Sequence, residues 1–200
     1  MSHAVAAGRT LNDTVPQQPR HAPPRVALVR AVLALVWAAA LVLAIGDDVP
    51  RTDSDVPVAA AALLASYPVI DVVASLVGAA AAGSAGRVLR INAAISAVAV
   101  AAIAATAFGS DAGATLAAFG GWAAVSGAIQ LGVAVHRRAQ GRELPLIVSG
   151  GLSTIAGLSF VFAAGMDEAH LANLAGYMGL GALLFLVFAF RTRATPASPR

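Results

Sequence analysis

The chain has 200 residues and a formal net charge of +3; 58% of its residues are hydrophobic and 12% are charged. A soluble domain is typically about 45–50% apolar and about 25% charged, so this chain has too few polar residues to cover a water-facing surface. The lack of cysteine excludes disulfides, thiolate metal sites and thiol redox chemistry. The composition therefore predicts an integral membrane protein.

Residues 1–25 form a polar N-terminal segment that is rich in Pro, Gln and Arg. Such a composition cannot bury enough apolar area to fold alone, so we predict a disordered cytoplasmic tail. The segment is not a signal peptide, because the first apolar stretch begins only near Val26 and is long enough to span a membrane. Residues 194–200 form a second, short cytoplasmic tail.

Six apolar segments lie between the tails, each close to the roughly 20 residues that cross a bilayer core of about 30 Å. They cover residues 26–45, 58–82, 91–108, 114–135, 146–165 and 171–190. In lipid each segment must satisfy its own backbone, which favours helices, and the alternating ten-residue segments of a barrel are missing. The predicted fold class is all-α: an integral membrane bundle of six transmembrane helices over residues 26–193.

The distribution of Arg predicts the orientation. All thirteen basic residues are Arg, and twelve of them lie before residue 31, after residue 190, or in the second and fourth connectors. The other three connectors hold only Arg51, together with seven acidic residues. Because Arg accumulates in cytoplasmic loops, both termini are predicted in the cytoplasm, with the chain in a bacterial inner (plasma) membrane. Arg at the ends of apolar segments indicates contact with the lipid bilayer and no nucleic-acid partner.

An internal repeat relates the even-numbered segments at a spacing of 55 residues. Within one segment the matched positions are four residues apart, so they share one helix face. We predict three tandem helical hairpins in parallel repeat, with the third and fifth segments following the same shift. The matched sets are Tyr67, Trp122 and Tyr177; Asp71, Ser126 and Gly181; and Ser75, Gln130 and Phe185.

Asp71 is the main candidate functional residue, because it lies near the middle of the second segment. A charged Asp at that depth costs about 2.5–3.5 kcal/mol on insertion scales. Burial disfavours the charged form, so we expect a neutral, hydrogen-bonded carboxyl. Two interpretations remain open: a proton relay or ion ligand, and a protonated Asp that only bridges helices. The candidate partners are Ser75, Asn92, Ser96, Ser126 and Gln130.

Tyr67 and Pro68 complete the predicted intramembrane polar site. Pro68 lies one turn before Asp71 and frees the carbonyl of Leu64, which favours a kink. A kink beside a buried acid suits a hinge, and packing alone is the alternative. Tyr67 and its repeat partners lie deeper than a headgroup belt, so we expect their polar tips to find partners inside the bundle.

Small residues form one face of the fifth segment, at Ser149, Gly150, Gly151, Ser153 and Gly157. Small side chains let helix backbones approach closely where no hydrophobic effect drives association. This face predicts helix packing, either within the chain or between copies.

No motif indicates an enzyme, a cofactor or a metal site. The Ser-Gly pairs at Ser126 and Ser149 lack the preceding glycine of a nucleophile motif. His136 and His170 are predicted at opposite membrane faces, so they can neither activate a mid-membrane serine nor share a haem. We expect a non-enzymatic protein with no cofactor and no metal.

The second half of the chain carries a pattern of glycines and small residues. It consists of Phe119-Gly120-Gly121-Trp122, Ser126-Gly127, Gln130, Ser149-Gly150-Gly151-Leu152, Ala156-Gly157 and Leu174-Ala175-Gly176-Tyr177. This pattern resembles the HdeD-like family of bacterial acid-resistance membrane proteins. The resemblance covers roughly residues 26–193 and implies a small six-helix protein of repeated hairpins, with a place in acid or envelope stress tolerance. The first half departs from the pattern at Tyr67-Pro68-Val69-Ile70-Asp71.

Three functions remain open from the sequence. The first is a non-enzymatic stress-tolerance protein, as the resemblance implies. The second is a small transporter or channel in which Asp71 handles a proton or a cation. The third is a structural or assembly partner of another membrane protein, or a homo-oligomer, that uses the small-residue face.

Overall fold

The computed structural model describes residues 24–45, 51–82, 86–137, 144–167 and 171–193. Six α-helices follow one another in these ranges, and no β-strand occurs in them, so the all-α class is confirmed. Nearly all of the two predicted tails lies outside the described residues, as does His170. The helices are α1 (Pro24–Ile45), α2 (Val58–Ala82), α3 (Arg87–Gly109), α4 (Ala112–Arg137), α5 (Leu144–Ala163) and α6 (Ala172–Arg193).

Four of the helices, α2 to α5, are long and apolar enough to cross a membrane. The described apolar stretches of α1 and α6 are shorter, at Ala31–Ile45 and Ala172–Leu184. Among the helix boundaries, the start of α3 differs most from the prediction, since the helix begins at Arg87 and not near residue 91. Arg87 and Arg90 are exposed, and a long Arg side chain can reach polar surroundings while its backbone stays helical.

Thr52, in the connector between α1 and α2, contacts the start of α4 and the connector between α5 and α6. Its carbonyl oxygen accepts the backbone N–H of Gly113 at 2.9 Å, and its Oγ1 donates to the carbonyl of Met166 at 2.8 Å. Asp111 caps α4, because its Oδ1 accepts the backbone N–H of Ala114 at 2.7 Å. These bonds fix the start of α4 against its neighbours.

The helices close into a ring in chain order. Each even-numbered helix packs most extensively on the odd-numbered helix after it, α2 on α3 and α4 on α5, and α6 packs in the same way on α1. The remaining neighbours, α1–α2, α3–α4 and α5–α6, make smaller contacts. Among these six neighbouring pairs, α5 and α6 make the smallest contact.

Phe119 lies at the point where α2, α4 and α6 meet, and it is fully buried. Its ring centroid is 5.9 Å from that of Tyr67, 5.2 Å from that of Trp122 and 6.1 Å from that of Tyr177. The last two pairs are edge-to-face, an arrangement that adds about 0.5–1.5 kcal/mol beyond the area buried. The three repeat-related aromatic residues therefore converge on one cluster.

Glycines allow α4 and α5 to approach closely. A Cβ atom built on Gly157 would lie 2.3 Å from the backbone nitrogen of Ala124, and one on Gly150 would lie 2.6 Å from that of Leu131. Gly120 and Gly127 of α4 are equally confined by α5. Small residues at such a contact let the two backbones pack without intervening side chains.

Candidate functional site

Asp71 is held by side chains from two neighbouring helices. Its Oδ2 accepts hydrogen bonds from Asn92 Nδ2 at 2.6 Å and from Ser96 Oγ at 2.8 Å, both on α3. Ser126 Oγ, on α4, lies 3.3 Å from the same oxygen. These donors from two helices fix the position of the carboxyl group.

The hydrogen bonds continue beyond Asp71. The amide of Asn92 also donates to Ser75 Oγ at 3.0 Å, and its Oδ1 accepts from Ser126 Oγ at 3.1 Å. Trp122 Nε1 donates to Ser96 Oγ at 3.0 Å. No buried side-chain nitrogen or oxygen in the described part of the chain lacks a partner, which matters because each unpaired one would cost about 1–3 kcal/mol.

Ser126 links the two side chains at the centre of the network. Its oxygen lies within hydrogen-bond distance of both Asp71 Oδ2 and Asn92 Oδ1. Because a serine has one hydroxyl hydrogen, it donates to only one of these two acceptors at a time.

A cavity of about 280 Å³ adjoins the network, enclosed mainly by α2, α4, α5 and α6. Asn173, Gly176 and Leu180 belong to its wall and are also exposed, so the cavity opens along α6, where α5 and α6 make little contact. Its aromatic and polar wall residues on the inner helices are Tyr67, Asp71, Trp122, Ser126, Gln130, Ser149, Ser153, Phe160 and Tyr177.

The internal repeat explains the position of the cavity. Trp122 is bonded to Ser96 across α3 and α4, and Tyr177 is bonded to Ser153 across α5 and α6 at 2.6 Å. The two aromatic residues are 55 positions apart, whereas the two serines are 57 apart. The prediction that α3 and α5 follow the 55-residue shift is therefore wrong, because the connector after α4 is two residues longer than the connector after α2.

We call Asp71, Asn92, Ser96, Trp122 and Ser126 the network seam, and their repeat equivalents the open seam. Four of the five positions carry a smaller side chain in the open seam than in the network seam. One of them is Gly181, where an added Cβ atom would meet nothing within 4 Å. Smaller side chains fill less volume, and all five members of the open seam line the cavity. In the same order, the open seam consists of Ser126, Ser149, Ser153, Tyr177 and Gly181.

The predicted polar-site residues divide into two groups. Tyr67, Asp71, Ser126 and Gln130 line the cavity. Ser75 is buried and bonded to Asn92, and Pro68 is buried within the continuous helix α2. Gln130, a candidate partner of Asp71, instead donates through Nε2 to the carbonyl of Leu146 on α5 at 3.3 Å.

The predicted packing residues of α5 also divide. Gly150 and Gly157 contact α4, whereas Ser149 and Ser153 line the cavity. Ser153 Oγ lies 3.2 Å from the carbonyl of Ala123 on α4, so it joins α4, α5 and Tyr177 of α6. A Cβ atom at Gly151 would meet nothing within 4 Å, so this glycine takes no part in close packing.

The sequence interpretation did not identify the cavity itself. Its exposed wall residues, Asn173 and Leu180, belong to no motif and gave no signal. A usable signal lay in the matched set Asp71, Ser126 and Gly181, because the side chains become smaller from copy to copy.

The site has no feature of a metal centre in the residues that the structure describes, where no three His, Asp or Glu side chains lie together. Comparisons of the chain with protein-family models, with curated proteins and with solved structures found no match. The HdeD-like resemblance therefore rests on the glycine pattern alone. Gly120, Gly127, Gly150 and Gly157 of that pattern form the α4–α5 contact, so the pattern concerns packing more than chemistry.

Proposed function

We propose that the chain is a multi-pass protein of the bacterial inner membrane, with six transmembrane helices and both termini in the cytoplasm. Large apolar side chains on the outside of the helices support this: Leu43 is 82% exposed, Phe162 76% and Val98 69%. In water so much apolar surface would drive association, whereas in lipid it faces a matching solvent. Three tandem hairpins are the repeated unit in this proposal, and each contributes one even-numbered helix to the aromatic cluster.

Within the membrane, the geometry best supports a non-enzymatic small transporter or channel in which Asp71 handles a proton or a cation. One observation carries this proposal: Asp71 is held by hydrogen bonds from α3 and α4 and also lies on the wall of a cavity. An acid that only bridges helices accounts for the network but requires no cavity beside it. An intramembrane carboxyl at a cavity is typical of ion and proton pathways.

Proton flux into liposomes that contain the purified protein and a pH-sensitive dye tests the proposal. We expect flux above that of protein-free liposomes, and loss of most of it in the Asp71→Asn variant. Asn keeps the size of Asp and an oxygen that can accept from Asn92 and Ser96, but it cannot exchange a proton. Asp111→Asn is the matched control, since Asn caps a helix as well as Asp does and residue 111 lies away from the cavity.

Equal flux from the wild type and from Asp71→Asn, at equal amounts of folded protein, would contradict the proposal. Asp71 would then be a structural bridge between α2, α3 and α4. Loss of flux in both Asp variants would point to damage that any carboxyl substitution causes.

Acid or envelope stress tolerance is the physiological setting that the HdeD-like resemblance implies, and handling of protons by Asp71 would fit it. A deletion strain, complemented with wild type or with Asp71→Asn at matched membrane levels, tests this by survival after acid challenge. Rescue by the wild type alone would join the stress role to Asp71. Absence of an acid phenotype would remove the stress role and leave the transport proposal to the flux assay.

The assembly-partner function has less support. Gly150 and Gly157, the centre of the small-residue face, are already covered by α4. Gly151 remains open, and co-purification of a second membrane protein that Gly151→Leu abolishes would favour this function.

A further inference from the structure

We propose that the cavity binds a small uncharged amide with an apolar substituent, which enters from the bilayer between α5 and α6. This ligand class rests on the proposed function, because it assumes the same cavity in the same membrane. It follows from side chains of the open seam and does not depend on the charge of Asp71.

The same hydrogen bond occurs in both seams and identifies their matched positions. The network seam has a bond of 3.0 Å between its tryptophan and a serine, and the open seam has one of 2.6 Å between Tyr177 and Ser153. Asn92 and Ser149 each lie four residues, about one helical turn, before the serine of that bond. Ser149 is therefore the match of Asn92 in the open seam.

The open seam lacks the carboxamide that Asn92 supplies. In the network seam this group donates to two side chains of α2, at 2.6 and 3.0 Å, and accepts from Ser126 at 3.1 Å. The matches of those two α2 side chains are Ser126 and Gln130. In the described part of the chain, no hydrogen bond joins Ser149 to either of them. A ligand with a carboxamide would restore the group that the shorter side chain of Ser149 does not provide.

Ser149 and Gln130 keep hydrogen-bonding capacity on the cavity wall, which both of them line. Among the described residues, Ser149 Oγ makes no hydrogen bond, and Gln130 bonds only through Nε2, to the carbonyl of Leu146 at 3.3 Å. The hydroxyl of Ser149 can therefore donate, and Oε1 of Gln130 can accept. A primary amide matches both, because its oxygen accepts and its N–H groups donate.

The route into the cavity favours an uncharged ligand. Asn173, Gly176 and Leu180 form the exposed edge of the cavity, where α5 and α6 make little contact. In the proposed membrane this edge faces lipid, where the desolvation of a charged group is very unfavourable. A neutral amide loses its bonds to water at a far smaller cost, and Ser149 and Gln130 can replace two of them.

The rest of the cavity suits an apolar substituent. An engineered cavity of about 150 Å³ holds benzene, so a cavity of about 280 Å³ suits a ligand of roughly 8–15 non-hydrogen atoms, more than an amide group alone. Trp122, Phe160 and Tyr177 belong to the wall, and aromatic rings pack favourably edge to face. An aryl-substituted amide such as 3-phenylpropanamide combines the required polar group, ring and size.

Calorimetry of the full chain in detergent micelles, with 3-phenylpropanamide as the probe, tests the amide assignment. The control ligand is isopentylbenzene, in which an isopropyl group of similar shape replaces the amide. After subtraction of the heats measured in protein-free micelles, we expect the amide to bind at least about tenfold more tightly, because it gains two hydrogen bonds. Equal binding of the two ligands, or no binding of the amide, would overturn the inference.

Substitutions of the two bonding side chains locate the site. Ser149→Ala and Gln130→Met should each weaken amide binding about fivefold, since each removes one hydrogen-bond partner. Ser159→Ala is the matched control and should bind as the wild type does. Ser159 is exposed on the same helix, donates to carbonyls of α5 itself and does not line the cavity. Undiminished amide binding in Ser149→Ala or in Gln130→Met would overturn the site.

Ser149→Asn provides a test in the opposite direction, because it gives the open seam the side chain that Asn92 provides in the network seam. Its own carboxamide should exclude the ligand, so amide binding should weaken at least about tenfold. The new hydrogen bonds should also raise the thermal unfolding temperature by about 3 °C. Ser149→Leu, of similar size, should exclude the ligand without that rise. Equal unfolding temperatures in the two variants would overturn the inference.

The calorimetric and flux assays separate this site from the proposed function. Amide binding without any proton flux would support the site and overturn the transport proposal. Proton flux that depends on Asp71, without amide binding, would support the transport proposal and overturn the amide site.

Discussion

The network seam and the open seam lie at matched positions, 55 or 57 residues apart along the chain, yet four of the five side chains are smaller in the open seam. Asn92 in the first is buried and engages Asp71, Ser75 and Ser126. Its counterpart in the second, Ser149, is shorter and lines the cavity. The comparison shows that a seam of polar contacts lies beside a seam whose smaller side chains line a cavity.

Asp71 and Ser126 connect the two seams. Ser126 belongs to both, as the last member of the network seam and the first of the open seam. Asp71 is anchored by the network seam and also lies on the cavity wall. A rigid anchor on one side and an open volume on the other give one carboxyl both a fixed position and access to a ligand.

The largest effect on stability should come from the contact between α4 and α5 at Gly157. Gly157→Ala would place a Cβ atom 2.3 Å from the backbone nitrogen of Ala124, so we expect the free energy of unfolding to fall by about 3 kcal/mol. Titration with sodium dodecyl sulfate in mixed micelles measures this. Gly151→Ala, on an open face of the same helix, should be neutral or stabilise by up to about 1 kcal/mol. Equal losses in both variants would contradict the α4–α5 contact.

Removal of a polar side chain should affect the two seams differently. Asn92→Ala leaves Asp71, Ser75 and Ser126 without their shared partner, so we expect a loss of about 2 kcal/mol in the same unfolding assay. Ser149→Ala, at the equivalent position, should change stability by less than about 0.5 kcal/mol. Similar losses would mean that the open seam is as tightly held as the network seam.

The aromatic hydrogen bonds allow a finer comparison. Trp122→Phe removes the donor to Ser96 and part of the ring volume, and should cost about 1 kcal/mol. Tyr177→Phe removes only the hydroxyl bonded to Ser153, which keeps the carbonyl of Ala123 within reach, and should cost about 0.5 kcal/mol. Thermal unfolding in detergent measures the loss of stability in each of the two variants. A larger loss at Tyr177 would reverse the assignment of filled and open seams.

The smallest effect on stability should come from Thr52, which belongs to neither seam. Thr52→Val keeps the shape of the side chain and removes its exposed hydrogen bond to Met166, at a cost of about 0.5 kcal/mol. Flux in liposomes should stay at the wild-type level, since Thr52 does not line the cavity. A loss of flux comparable to that of Asp71→Asn would show that the connectors, and not the seams, control the activity.

The positions and lengths of the apolar segments predicted most of the fold. The second segment, 58–82, matches α2 at both ends, and each of the other five segments locates one helix. The start of α3 was misplaced because hydropathy excludes Arg87 and Arg90, whereas a helix end tolerates both. The ring closure of α6 on α1 could not be predicted, since the similarity of the repeat units does not specify which neighbours pack most closely.

The sequence predicted the site in part. The four-residue spacing indicated that Tyr67 and Asp71 share one face of α2 and that Ser126 and Gln130 share one face of α4. All four residues line the cavity. The cavity could not be predicted, because an absent side chain leaves a void only where the surrounding helices fail to collapse. The small α5–α6 contact, which keeps this volume open, is a property of the assembled helices and not of any one segment.

Proton flux into liposomes tests the central claim most directly: one carboxyl, held by the network seam, handles a proton or a cation at the cavity. The account predicts flux from the wild type, loss of most of it in Asp71→Asn, and flux at the wild-type level in Asp111→Asn, which lies outside the cavity wall. Equal flux from the wild type and Asp71→Asn, at equal amounts of folded protein, would contradict the account.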